Sequence, residues 1–347
     1  MALNSQVRIN NNVIGNGFRP YIIAEMACSH NGNYAEAIKL IEAAHESKAD
    51  AVQLQFFVPE STVTPHHEVF SVLQKIAFSK DDWRRIFNHA KTLKMDVWVC
   101  TYDLPSVQWA KEFGADGIKL NSADLSNPQV IEAVAKTGIP FTLGTGASTM
   151  EEINDALSIA TAAGAKDIIL MHGVQNFPTA VENLYIARIR LLKKVFPSLA
   201  VGYADHTAGD DEFSKLSDLV AVGLEANLIE KHITLSRSAK GIDYQAALEP
   251  LELNEFVARI HKAYLAFGDD LIHPFSESDL RYRKFQKKSI VANVDLKEGD
   301  KLDSSHVIFL RNSESGLSPK ELKLLLGKKI IRNISKHQNI NLSDVVE

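Results

Sequence analysis

The sequence predicts an α/β fold: a (β/α)8 TIM barrel followed by a small, mainly β C-terminal domain. Apolar segments of strand length alternate eight times with segments of helix length between Tyr21 and Phe267. That alternation is the pattern of parallel strands covered by helices. Eight units in about 250 residues is the size of a closed barrel. After Phe267 the texture changes, first to Gly, Asp, Pro and Ser with a basic run, then to short apolar segments. A doubly wound open sheet is the alternative, and the missing G-x-G-x-x-G turn after the first strand disfavours it.

The elements follow in order. Tyr21–Cys28 reads as a strand, and Tyr34–Ser47 as a helix with Asn33 and Glu36 as its cap pair. Ala51–Phe57 is a strand and Lys80–Leu93 a helix, with a long loop between them. Asp96–Thr101 is a strand, followed by helix Leu104–Phe113 capped by Asp103. Gly117–Leu120 is a strand, followed by helix Pro128–Lys136 with Asn127 as cap and proline in the first turn. Pro140–Gly144 is a strand, and a Ser148-to-Glu151 capping box opens a helix reaching Ala163. Asp167–His172, Ala200–Ala204 and Leu228–Ile233 are the last three strands. Their helices are Leu184–Phe196, Glu212–Leu224 and Leu251–Phe267. The predicted domains are a barrel over 1–270, a linker over 271–286 and a small domain over 287–347. Arg281, Arg283, Lys284, Lys287 and Lys288 form a basic run that reads as a solvated linker face; contact with an acidic or phosphate surface is the sharper alternative.

Composition narrows the function. The 347 residues carry 38 Lys and Arg against 43 Asp and Glu, a net charge of −5. A general nucleic-acid binder would show a basic surplus, so no nucleic-acid partner is expected. Two cysteines, Cys28 and Cys100, make neither a disulfide framework nor a metal spacing, and read as buried thiols. No signal peptide or bilayer-length apolar stretch is visible, so a cytoplasmic protein with no membrane partner is expected.

In a (β/α)8 barrel the chemistry lies at the C-terminal strand ends. The sequence places Glu25 on strand one with Ser29 and His30 just beyond, and Gln53 and Gln55 on strand two. Thr101 ends strand three; Lys119 ends strand four, with Ser122 beyond. Gly144 ends strand five, His172 strand six and His206 strand seven, while strand eight holds Glu230, Lys231 and His232. Core packing does not explain polar groups there, because a buried charge needs a partner. His206 and His232, on neighbouring strands, can hold a divalent metal with open positions left for water or substrate. Two satisfied structural histidines remain the competing reading. Glu25, Glu230 and Asp243 are candidate acids, bases or orienting groups, against a role as structural ion pairs. Lys119 is the best anion binder at the mouth. His66 and His67 lie in the long loop and read as exposed.

The segments YIIAEMACSHNGNYAEAIKLIEAA, ADAVQLQFF, GADGIKLNSADLSNPQVIEAVAKTGIPFTLGTGAST, VGYADHTAG and IEKHITL with DYQAALEP resemble the sialic acid synthase family. These are phosphoenolpyruvate-dependent N-acylneuraminate synthases, with relatives that make legionaminic, pseudaminic and spore-coat sugar acids. KKSIVANVDLKEGDKL, FLRNSESGLSP and LGKKI resemble the family's antifreeze-like (SAF) domain. The resemblance implies condensation of phosphoenolpyruvate with the open-chain aldehyde of an N-acylated mannosamine-type hexosamine, giving a nonulosonic acid and phosphate. It implies a divalent metal, usually Mn2+ with Mg2+ or Co2+ as alternatives, on His206 and His232. It places Glu25 at the C2 centre and its water. Gln55, Glu230 and Asp243 fall on sugar- or site-organising positions, and Thr101, Lys119 and Ser122 fall around phosphoenolpyruvate. It also implies a domain-swapped homodimer whose small domain brings Arg311 to the acceptor bound by the other subunit.

The chain departs from the family at Gln53, where a lysine is usual, and at Gly144 and Ala204, where serines are usual. Phe177 stands for a tyrosine, and Arg311 is followed by Asn-Ser rather than Pro-Gly. A lost cation and two lost hydroxyls thin the phosphate cradle, at about 1.5–3 kcal/mol per charge-assisted bond. Two alternatives stay open: an aldolase-like enzyme with a different donor, and a catalytically weakened sugar-binding homologue.

Overall fold

The computed structural model describes residues 3–269 and 271–347. Two compact units divide after Asp269. In the first, eight parallel strands close into a barrel: Tyr21–Glu25, Ala51–Phe56, Asp96–Thr101, Gly117–Leu120, Phe141–Gly144, Ile168–Gly173, Ala200–Asp205 and Leu228–Ile233. They are barrel strands 1 to 8 below. Strand 8 pairs with both strand 7 and strand 1, in register Leu228↔Tyr21 through His232↔Glu25, which completes the closure.

Strand parity builds two cores. Ile22, Val52, Val97, Ile118, Phe141, Leu170, Val201 and Ile229 face outward and pack with helix residues such as Leu40, Ile86 and Phe256. Tyr21, Ile23, Ala51, Trp98, Ile169, Met171 and Leu228 fill the lumen. The lumen core also takes in Val7, Ile9 and Ile14, from an antiparallel hairpin of Gln6–Ile9 and Asn12–Gly15. This hairpin was not expected. Its apolar residues alternate with polar ones, and Asn10 turns with φ 47°.

The helices follow the sequence reading with local differences. The helix after strand 5 starts one residue later than expected, with a box between Thr149 and Glu152 over Met150–Ala162. The helices expected after strands 6 and 7 are shorter, Arg188–Val195 and Ser217–Gly223, each preceded by a 3-10 turn. The long loop after strand 2 contains short helices Pro59–Thr62 and Phe70–Ile76; Phe57 and Ile76 pack on Cys28 beyond strand 1. His66 and His67 are exposed on this loop.

The C-terminal unit opens with helix Glu277–Gln286, inside the stretch expected as linker. Its strands pair as Ser289–Ala292 with Val307–Leu310, and Lys329–Ile330 with Val345–Val346. Ile290, Ala292, Leu296, Leu302, Leu325, Ile330, Ile334 and Ile340 make its own core.

Candidate active site

The inward parity that fills the lumen with apolar groups also carries polar ones at its C-terminal end. Glu25, Gln53, Lys119, Glu230 and His232 come from strands 1, 2, 4 and 8, His206 follows strand 7 directly, and all are buried. Lys119 lies between two carboxylates. It pairs closely with Oε1 of Glu230 and stands 3.8 Å from Oε2 of Glu25. Gln53 donates from Nε2 to Oε2 of Glu230 at 3.1 Å. Both oxygens of Glu230 are therefore engaged.

Glu25 is different. Its Oε1 accepts from the Ala27 N–H at 2.7 Å, while its Oε2 is buried with no hydrogen-bond partner. Burial pushes its carboxyl well above the usual range; Lys119 opposes the shift and Glu230 adds to it. Burial works against charge on Lys119, but Glu230 and Glu25 outweigh it and hold the ammonium protonated. A buried carboxyl with a raised pKa and one free oxygen can hold or deliver a proton near neutral pH.

His206, Glu230 and His232 each offer a ligand atom, all within 4.8 Å of one another. The imidazoles are set edge to face, 5.0 Å between ring centres. The Val174 carbonyl, 2.7 Å from Nδ1 of His206, makes Nδ1 the N–H donor and leaves Nε2 as the lone pair. Nδ1 of His232 is buried without a partner. Burial lowers both pKa values, with Lys119 adding to the effect on His206, and His206 to that on His232. Neutral imidazoles beside a carboxylate are the donor set of a divalent transition-metal site, so the residues fit the metal that the resemblance implies. Phe177 covers both rings, at 4.4 Å from His206 and 5.7 Å from His232.

The NeuB family's sequence profile matches residues 40–271 of this chain. The chain belongs to the NeuB family. The SAF domain profile matches residues 287–346, so this NeuB-family chain carries both parts. It is 31% identical to an uncharacterized protein of Methanocaldococcus jannaschii, over 94% of each chain. It is 30% identical to the N,N'-diacetyllegionaminic acid synthase of Campylobacter jejuni, over 92% of this chain and 98% of that one. Among solved structures it resembles the N-acetylneuraminic acid synthetase of Leptospira borgpetersenii, in complex with citrate. That match has TM-score 0.74 and 26% identity, over 81% of this chain and 97% of the other. The NeuB-family chain is thus an N-acylneuraminate synthase-like enzyme.

The remaining predicted residues are distributed around this cluster. Gln55 is buried in the lumen and accepts from Cys28 Sγ at 3.3 Å. Asp243 sits at φ 60° in the loop after strand 8; burial raises its pKa, and the Cys28 backbone N–H opposes that. Its loop is tied to the loop after strand 1 by Ile242 N–H donating to Asn31 Oδ1 at 3.0 Å. Thr101 is buried but shares the outward parity of Val97 and Val99, so it is not grouped with the lumen residues. Ser122 accepts from the Gly146 N–H at 3.1 Å. Arg311 is exposed in the C-terminal unit.

Two positions bear on the thinned cradle. A Cβ on Gly144 would stand 2.6 Å from Ser122 Oγ and 2.8 Å from its backbone nitrogen, so the Ser122 hydroxyl occupies the room a side chain would need. Thr142, paired in register with Lys119, is buried with an unpartnered hydroxyl. Sequence reasoning passed over Thr142. Its signal was parity: it lies two residues before Gly144, on the inward face.

Proposed function

We propose that the barrel mouth condenses phosphoenolpyruvate with the open-chain aldehyde of an N-acylated mannosamine-type sugar, giving a nonulosonic acid and phosphate. The observation that supports this reading most is the arrangement of His206, Glu230 and His232 beside the buried Glu25–Lys119–Glu230 cluster. A divalent cation held there supplies Lewis-acid polarisation of the acceptor's carbonyl oxygen. Lys119 binds donor anionic oxygens, and Ser122 and Thr142 add hydroxyl donors. C3 of the donor forms a bond to the aldehyde carbon, and water adds at C2. Glu25 in its ionised form takes one proton from that water at its free Oε2 and returns it to the alkoxide formed at the aldehyde carbon, while the C2 hydroxyl gives up the other to the phosphate that leaves by C–O cleavage. Gln55 and Asp243 orient the sugar. Arg311 of the partner subunit reaches the acceptor in a homodimer.

One observation favours a second reading, an enol donor other than phosphoenolpyruvate. The Gln53 amide is committed to Glu230, and Lys119 is the lumen cation among the described residues. An assay decides between them: purified protein, manganese, phosphoenolpyruvate and a panel of N-acylated hexosamines. The expected result is phosphate release in step with a 2-keto acid product, abolished by chelator and lowered at least a thousandfold in His206→Ala. Failure across the panel, with manganese still bound, would reject phosphoenolpyruvate as donor.

A further inference from the structure

The loops that follow strands 1 and 8 leave the barrel side by side, because His232 pairs in register with Glu25. One side chain joins them. Asn31, in the strand 1 loop, takes φ 49°, a left-handed conformation that asparagine tolerates. Its amide is used at both ends: Nδ2 donates to the Ser29 carbonyl at 2.9 Å, and Oδ1 accepts the Ile242 N–H at 3.0 Å. The same amide packs on Gly241, where a Cβ would stand 2.6 Å from Nδ2 and 2.9 Å from Oδ1. The Ile242 side chain packs with Cys28, Phe57 and Ile76.

These contacts fix the backbone next to Asp243. That residue takes φ 60°, which an aspartate holds only with support from its surroundings. The Cys28 N–H donates to its carboxylate, and its charge adds to the raised pKa of Glu25. Asp243 is therefore held toward the Glu25 end of the lumen by the strand 1 loop, through Cys28 at the carboxylate and Asn31 at the residue before it. Asn31 itself is exposed. A hydrogen bond at such a position adds little to the barrel's stability, and its consequence is local: it sets the backbone beside Asp243.

We propose that Asn31 is a positioning residue, which holds the strand 8 loop so that the Asp243 carboxylate meets the hydroxyls of the acceptor sugar. This rests on the reading that Asp243 orients that sugar. A carboxylate is acceptor-only when ionised, so it selects sugar hydroxyls by where its two oxygens are aimed. A misplacement of about 1 Å at such a group can cost about a hundredfold.

Asn31→Gly isolates the effect: glycine takes φ 49° without strain, so the side-chain bonds are lost and the backbone is not forced. Full-length parent, Asn31→Gly, Asp243→Asn and the double variant are assayed with manganese, phosphoenolpyruvate and the acceptor that turns over. Hydrogen exchange is followed at the Ile242 amide. In Asn31→Gly that amide should exchange at least tenfold faster, while the amides of strand 8 keep the parent's rate. The KM for the acceptor should rise at least tenfold, and that for phosphoenolpyruvate should stay within twofold. On the Asp243→Asn background Asn31→Gly should add less than twofold, because its effect passes through that carboxylate. Unchanged exchange at Ile242, an unchanged acceptor KM in Asn31→Gly, or an effect that persists in full in the double variant overturns the proposal. Failure of the reading of Asp243 shows elsewhere: Asp243→Asn alone would leave the acceptor KM unchanged, and the role of Asn31 falls with it. No turnover with any acceptor rejects the barrel-mouth reading and both roles together.

Discussion

Lys231 shows how one buried charge holds the strand ends in place. It faces outward between His232 and Glu230, pairs closely with Asp205, and reaches Asp218 at 3.0 Å and the Ser214 carbonyl at 3.0 Å. Asp205 also accepts from Tyr203 at 2.9 Å and Thr207 at 2.6 Å, which brackets His206. Removing one partner of a buried ion group costs about 3–5 kcal/mol, because the remaining charge loses its compensation. Lys231→Met should lose that much in denaturant unfolding; a loss under 1 kcal/mol would show that the group is not coupled to the fold. His30 carries a pH prediction. Burial against Phe78 and Trp83 lowers its pKa to about 4. The unfolded ring, at about 6.5, binds more protons between those values, so stability is full above 6.5 and falls as pH drops. Between pH 6.5 and 5 this residue accounts for about 2 kcal/mol. His30→Phe should remove that much of the measured difference. The lumen residues were legible because polar groups at inward positions of apolar strands stand out.

At the scale of elements, parity explains both what was foreseen and what was not. Eight strands could be read from apolar runs, and their C-terminal ends pointed to Glu25, Lys119, Glu230, His206 and His232, which the fold brings into one cluster. Thr101 ended a strand correctly but on the outward face, a one-residue distinction that a run of DVWVCT does not mark. The N-terminal hairpin escaped because each strand has four residues and the signal lies only in Val7, Ile9 and Ile14 alternating around Asn10 and Asn11. Those three side chains are fully buried in the lumen core. Ile14→Asp puts an unpaired carboxyl there and should destabilise the barrel by more than about 3 kcal/mol. A variant with unchanged unfolding would mean that the hairpin is not part of the core.

The whole molecule divides its charge unevenly. The first unit holds 24 Lys and Arg against 32 Asp and Glu, net −8, and the second 14 against 11, net +3. In the proposed reaction the lumen meets an anionic donor against that acidic background with Lys119 and the histidine–glutamate cluster. Among the described residues no helix is long and apolar enough to cross a membrane. The most direct test of the proposed chemistry uses phosphoenolpyruvate labelled with 18O at the oxygen bridging C2 and phosphorus. Protein, manganese and the acceptor that turns over are incubated together, and both products are read by mass spectrometry. Water attack at C2 with C–O cleavage predicts the label in phosphate and none in the 2-keto acid. Label retained in the keto acid, or no product from any acceptor, would contradict the account.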